Sequence, residues 1–264
     1  MGFANMLLGA AGPFLFTSTV STNQVDYNLY NAMVAAGWDQ QKPVVATVTI
    51  NSGIVIYASS NTVSAFTVGS LPANSSVTVV NNGYIVGKGG QGVGKGYPNQ
   101  TDYNLTAPSY ANGGTAFTTT VPVSVDNTGG VIGGGGGGGG AGGATGVDCK
   151  CSGCGGVGLA GMGVGGGGAG FGDAGTGGFV WHNNTQYYDF RTSSAGTATS
   201  AGSNSDSGGT GGGLGQAGGT GSGFIGCGYT NQSGPGTGGA AGACTSGNSN
   251  INWLATGTRY GALN

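Results

Sequence analysis

The chain has 264 residues, of which 65 are glycine and only 5% are charged, and its net charge is −2. Its six basic residues, Lys42, Lys88, Lys95, Lys150, Arg191 and Arg259, are scattered, which excludes the clustered positive charge that nucleic acid or an anionic membrane requires. This much glycine favours low complexity, yet disordered chains are highly charged and poor in aromatics, whereas 9% of this chain is aromatic.

The first sixteen residues, MGFANMLLGAAGPFLF, are apolar but have no basic start and contain Gly12 and Pro13. They are too short to span a bilayer and read better as a docking segment for a partner than as a secretion signal. Residues 26–36, DYNLYNAMVAA, place Leu29, Met33 and Ala36 on one helical face, with Asp26 as the expected N-cap and Gly37 as the stop. An internal repeat follows. TVTINSGIVIY (47–57), VTVVNNGYIVG (77–87) and VSVDNTGGVIG (123–133) align without gaps, each with alternating β-formers, an Asn (Asn51, Asn81, Asn127) and a Gly two positions later. Each copy reads as strand, Asn-Gly turn, short strand, and stacked copies would bury one face each.

From Gly87 onward, glycine-rich segments (about 83–96, 129–146, 155–178, 208–223 and 234–243) alternate with aromatic and polar ones (97–111, 147–154, 181–206 and 225–232). Within the runs a period of three recurs, as in Gly209, Gly212, Gly215, Gly218 and Gly221. Three residues per turn is the repeat of the extended left-handed helix of polyproline and collagen; collagen itself is excluded because the phase breaks at Val164 and Leu214 and proline is scarce. Helices of bare glycine can touch backbone to backbone, and lateral N–H···O=C bonds then offset the entropy of ordering the run Gly133–Gly140. The tail NINWLATGTRYGALN carries Trp253, Arg259 and Tyr260 and reads as a strand returning to close the first domain.

Chemical motifs are sparse. Gly87, Gly89 and Gly92 fit G-x-G-x-x-G, but glycine is so abundant that chance explains the match, and Gly96 stands where a phosphate loop needs Ser or Thr. Cys149, Cys151 and Cys154, with Cys227 and Cys244 further on, are open to three readings: disulfide staples, free thiols, or a zinc site completed by His182. Staples or unpaired thiols are favoured over a metal. With one His, no Glu and no nucleophile–base spacing, catalysis lacks components; His182 with Asp189 is the nearest approach to a pair, so neither an enzyme nor a cofactor is expected.

YNLYNAMVAAGWD, PVVATVTINSG, VNNGYIVGKGG, VIGGGGGGGGAGG and the closing ATGTRYGALN together resemble the receptor-binding adhesins at the tip of the long tail fibres of T-even-type bacteriophages, particularly the Salmonella-infecting kind. The resemblance implies a mostly irregular and β fold. Residues 1–87, rejoined by 250–264, would form an attachment domain with one helix and short strand repeats. Residues 88–249 would form a sandwich of packed polyglycine II helices with long loops. It also implies a virion protein capping a trimeric fibre and binding an outer-membrane protein, typically a porin, with no nucleic-acid or small-molecule partner.

Tyr and Trp give large contact area at low rotamer cost, as in antibody paratopes. The expected receptor contacts are therefore Tyr97, Tyr103, Tyr110, Trp181, Tyr187, Tyr188, Phe190 and Tyr229, with His182 and Arg191 as polar anchors. Leu7, Leu8, Phe14, Phe16 and Trp38 have no repeat partner and are the expected fibre contacts, although Trp38 also suits the domain's own core. The rival reading, a structural or ice-binding glycine-helix protein, predicts short regular turns, whereas these segments are long and unlike one another.

Overall fold

β-branched residues alternating with polar ones dominate both ends of the chain, and they build strands there. The computed structural model describes residues 12–94, 111–142, 144–145, 164–175, 179–182, 185–188, 193–205, 207–222, 232–233 and 235–264. In chain order the elements are β1 (Phe14–Val20), β2 (Gln24–Val25), β3 (Tyr27–Asn28), α1 (Leu29–Ala35), β4 (Val44–Ile50), β5 (Val55–Tyr57) and β6 (Phe66–Thr67). They continue with β7 (Ser76–Asn81), β8 (Tyr84–Val86), β9 (Phe117–Thr118), β10 (Val123–Asp126), β11 (Val131–Gly133), β12 (Ala144–Thr145) and β13 (Phe179–His182). The last are β14 (Thr185–Tyr188), β15 (Gln232–Ser233), β16 (Thr245–Ser246), β17 (Ile251–Ala255) and β18 (Thr258–Tyr260).

The first sheet runs β1-β4-β7-β10-β17, the second β2-β5-β8-β11-β18 and the third β3-β6-β9-β16. Every neighbouring pair in these sheets is parallel. The chain thus visits three sides in turn and starts again, a three-sided coil whose inward positions are apolar. Val44, Ala46, Val48 and Ile50 of β4, Ile56, Ile85 and Ile132 of the second side, and Phe66 and Phe117 of the third meet in one buried core. On the third side Tyr27, Phe66 and Phe117 stack, with successive ring centroids 5.0 Å apart.

The Asn-Gly repeats do not close hairpins. β4 and β5 belong to different sheets, as do β7 and β8, and β10 and β11. A two-residue hairpin turn of the expected type needs φ > 0 at both central residues, and in these three turns only Gly53 (φ +79°) has it. The turns are corners instead; Asn51 at the first is exposed, and the asparagines of the other two work inside. Asn81 and Asn127 are fully buried; Asn81 Nδ2 donates to Asn127 Oδ1 (2.7 Å), and Asn127 Nδ2 donates to the carbonyls of Thr256 (3.0 Å) and Thr258 (3.1 Å). Backbone groups near the second and third corners that no strand can pair are satisfied this way.

The helix starts later than its sequence suggests. Asn28, not Asp26, is the N-cap, its side chain accepting from Asn31 N at 3.0 Å. Asp26 sits at φ +51° and accepts from the Ser59 amide (2.8 Å) and hydroxyl (2.6 Å). Leu29 and Met33 are buried, Ala36 is exposed, and Gly37 at φ +96° ends the helix.

Two excursions leave the second side, after β8 and after β11, and return to the third at β9 and β16. They carry the glycine runs. Every amide from Gly134 to Gly140 donates to a different segment of chain. Gly135 and Gly138 bond to Gly114 and Ala111, Gly136 and Gly139 to Ala169 and Gly166, and Gly137 and Gly140 to Gln216 and Gly219, at 2.7–2.9 Å. The carbonyls follow the same step. Those of residues 133, 136 and 139 accept from 87, 90 and 93; 134, 137 and 140 from 215, 212 and 209; 135, 138 and 141 from 242, 239 and 236. The central run is therefore ringed by six neighbours, three accepting from it and three donating to it, with a period of three residues.

Side chains are excluded from this packing. A Cβ on Gly135, Gly138 or Gly139 would stand 1.9 Å from a backbone oxygen of a neighbouring segment. The glycine core meets the coil on the outer face of the second sheet, where Val55, Tyr57, Tyr84, Val86 and Val131 pack against Ala169, Phe171 and Leu214. Lys88 ties the same junction, its Nζ donating to the Phe171 carbonyl at 2.6 Å and lying 3.7 Å from Asp173.

Candidate functional site

The hydrogen-bond partners place the described residues that flank each long segment. Residues 95–110 follow Val93, which bonds to Gly139, and precede Ala111, which bonds to Gly138. Residues 146–163 follow the central run beyond Ala141 and precede Val164, whose neighbour Gly165 donates to Val93 at 3.0 Å. Residues 176–192 lie between Gly175 and Ser193, which are clamped together: Ser193 Oγ accepts from Gly175 N (2.9 Å) and donates to Gly165 O (2.7 Å). Residues 223–231 lie between Gly221 and Gly236, which bond to one another at 3.0 Å, Gly236 also bonding to Ala141 at 2.8 Å.

All four stems therefore gather at one end of the glycine core, around Gly138–Ala141 and Gly165. The opposite end, around Gly133, Gly134, Ala169 and Leu214, joins the coil. There the chain reverses tightly, at Gly170 (φ +91°), Phe171 (φ +61°) and Gly215 (φ +63°).

Among the expected receptor contacts, Trp181 and His182 lie on β13 and Tyr187 and Tyr188 on β14, an antiparallel pair that puts Tyr187 opposite Val180, Tyr188 opposite Phe179, Gln186 opposite Trp181 and Thr185 opposite His182. Four of the chosen residues thus share one small ribbon rising from the Gly175–Ser193 clamp. Tyr97, Tyr103, Tyr110, Phe190, Arg191 and Tyr229 lie outside the described residues, as do Asp189, Cys149, Cys151, Cys154 and Cys227. The aromatic-polar segment 181–206 is shorter than expected, because residues 193–205 belong to the scaffold. Ser194 O accepts from Gly167 N (3.0 Å), and the amides of Gly196 and Gly202 donate to Gly172 (2.8 Å) and Gly167 (2.7 Å). Ser193 was missed in the sequence, where a serine in SSAGTATSAGS has no distinguishing signal.

Of the expected fibre contacts, Phe14 and Phe16 are half-buried against the core at the first turn of the coil. Trp38 is 3% exposed and belongs inside: its ring meets Tyr30 edge-on at 5.2 Å, and its Nε1 donates to Lys42 O at 2.9 Å. Leu7 and Leu8 lie outside the described residues. Leu15, not among the expected contacts, is 73% exposed beside Val45 on the outer face of the first sheet.

The chemical motifs resolve into packing. The amides of Gly87, Gly89 and Gly92 donate to Gly133, Gly170 and Asp173, so none of them points at a phosphate. Cys244 is buried and free, its Sγ 3.3 Å from Ile132 O; burial pushes its thiol up to about 11, so it is neither reactive nor a ready metal ligand near neutrality. Among the described residues there is no group of three metal-ligating side chains, and no helix is long and apolar enough to cross a membrane.

A family model described as phage tail fibre adhesin Gp38 matches residues 15–264. The chain is similar in fold to a protein in the crystal structure of the gp37-gp38 adhesin tip complex of the bacteriophage S16 long tail fibre, with a TM-score of 0.59, 20% identity, and coverage of 96% of this chain and 82% of that one. No curated protein matches the chain.

Proposed function

Because the chain belongs to the phage tail fibre adhesin Gp38 family, we propose that it caps the trimeric long tail fibre at the distal tip of the virion and recognises a bacterial outer-membrane protein of the porin class. The observation that carries this reading is the gathering of all four inter-glycine stems at the end of the glycine core that faces away from the coil. An adhesin needs variable chain held on an invariant platform, and binding residues concentrate on such loops. The three-residue step of the hydrogen bonds around the central run supports the polyglycine II sandwich as that platform.

The contacts assigned to the receptor are Trp181, His182, Tyr187 and Tyr188 on the β13–β14 ribbon, with Tyr97, Tyr103, Tyr110, Phe190, Arg191 and Tyr229 on neighbouring segments. Aromatic anchors with polar surroundings supply the affinity of one site, and several fibres on one particle multiply it. Fibre attachment falls to the coil, through Phe14, Phe16, Leu7 and Leu8. The function requires no catalytic step and no cofactor.

The test is adsorption of phage carrying this adhesin to a panel of porin-deletion strains, with one deletion expected to abolish binding. Replacing Tyr187 and Tyr188 with Ala should weaken adsorption by about tenfold or more while leaving the melting temperature unchanged. Loss of thermal stability in step with adsorption would make the pair structural.

A further inference from the structure

The two ends of the coil are finished differently, although β17 and β18 at the far end are sheet edges too. At the far end Arg259 lies over the Trp253 ring, 4.6 Å from its centroid, and Trp253 Nε1 donates to Asn248 Oδ1 at 3.1 Å. The last residues cover the third sheet there: Leu263 bridges Thr245, and Asn248 N donates to Asn264 O at 2.6 Å. At the near end, among the described residues, β1 pairs with β4 alone, β2 with β5 alone and β3 with β6 alone, so all three first-turn strands are sheet edges there.

β1 is the longest of these edges, and it lacks every feature that protects an edge strand. Its sequence FLFTSTV has no charge, no proline and no bulge, and its register with β4 is unbroken over seven residues. Such a strand in a soluble protein invites pairing with another chain unless it is covered. In residues 12–28 the sole charged group is Asp26, which is already bonded to Ser59. The backbone groups on offer can be named. Phe14 N donates to Pro43 O (2.8 Å) and Val20 O accepts from Asn51 N (3.1 Å), so even-numbered residues of β1 face the β4 side. In a parallel ladder the alternate residues face the other way, which leaves the amides and carbonyls of Leu15, Thr17 and Thr19 on the free side. Inward, Phe14 and Phe16 pack on the core, and among the described residues no strand lies beyond them.

We propose that the free edge of β1 is completed by a β-strand of the fibre subunit, added end-on so that the three-sided coil continues into the fibre and Phe14 and Phe16 become interior. This rests on the fibre-tip reading and specifies how the partner is held: by main-chain hydrogen bonds and apolar contact, not by ion pairs. A second protein accompanies the S16 relative in its solved complex, whose fold this chain shares. The uncharged edge excludes an association driven by salt bridges, so complex formation should be insensitive to ionic strength.

The experiment is hydrogen exchange on the full chain, alone and bound to the distal fragment of the long-tail-fibre subunit from the same virion. The amides of Leu15, Thr17 and Thr19 should exchange freely in the isolated chain and slow by about a hundredfold or more in the complex. Thr17→Pro removes one outward N–H and leaves the β4 ladder intact, so it should lose the complex at an unchanged melting temperature, whereas Thr17→Val should keep it. Unchanged exchange at these three amides in a complex that forms would overturn the strand addition while leaving the fibre-tip reading in place. Amides already slow in the isolated chain would overturn it too, since the chain's own residues or a second copy would then cover the edge. Failure of any complex to form would overturn both.

Discussion

The coil and the glycine core solve the same problem with opposite materials. In the coil, stability follows from alternation: Val44, Ala46, Val48 and Ile50 point inward, their neighbours point out, and apolar area is removed from water at each level. In the core, Gly133 to Gly140 bury no side chain at all, and what holds them is a full set of backbone partners at 2.7–3.0 Å in six directions. Glycine loses the most entropy on ordering, so each run is stable only if all its neighbours are present. The coil can tolerate graded change. The core should be close to all or none.

The sharpest way to break that contrast is Gly138→Ala. Its Cβ would lie 1.9 Å from Gln91 O, a backbone atom that cannot rotate away, so two segments must separate and their bonds to the central run go with them. A loss of upwards of about 4 kcal/mol is expected, read as failure of the glycine amides to resist exchange. Gly12→Ala, with nothing within 4 Å of the added atom, should be silent. A Gly138→Ala protein with native stability would show that the core is loose and that the platform argument fails.

In the coil the comparable change is Phe117→Ala. Phe117 is fully buried and stacked on Phe66 at 5.0 Å, so the substitution leaves a cavity inside the third side. About 3–5 kcal/mol should be lost in denaturant unfolding. Unlike Gly138→Ala, Phe117→Leu should recover much of it, because side-chain cores accept substitutes of similar volume whereas backbone contact accepts none.

The same contrast explains what the sequence disclosed. The period of three in glycine is visible in the letters alone, and the hydrogen bonds step by three along the central run. The period-two strands were equally plain. Their pairing was not: strand, Asn-Gly, strand has the same local pattern whether it folds back or turns a corner, and the difference lies in Asn81 reaching Asn127 across 46 positions. Ser193 clamping Gly175 and Gly165 is a contact of the same kind, invisible without the fold. Nothing in the letters separates Leu15 from Phe14 and Phe16; the register with β4 and its exposure place it outward. Trp38, which the sequence left open between fibre contact and the domain's own core, is buried against Tyr30.

The smallest expected effect concerns the far end of the coil, where Arg259 and Trp253 lie. Arg259 covers Trp253, which is itself half-buried and held by Asn248, so the guanidinium caps a level that is already packed. Arg259→Gln removes the cation–π contact and keeps a chain of similar length over the ring. About 0.5–1 kcal/mol should be lost in unfolding, with a red shift of Trp253 emission as water reaches the indole. Fibre binding should not change, because the β1 edge lies at the other end of the stack. If Arg259→Gln abolished fibre binding while sparing stability, the two ends would have to exchange roles, and the far end, with Leu254 59% exposed on β17, would become the docking face.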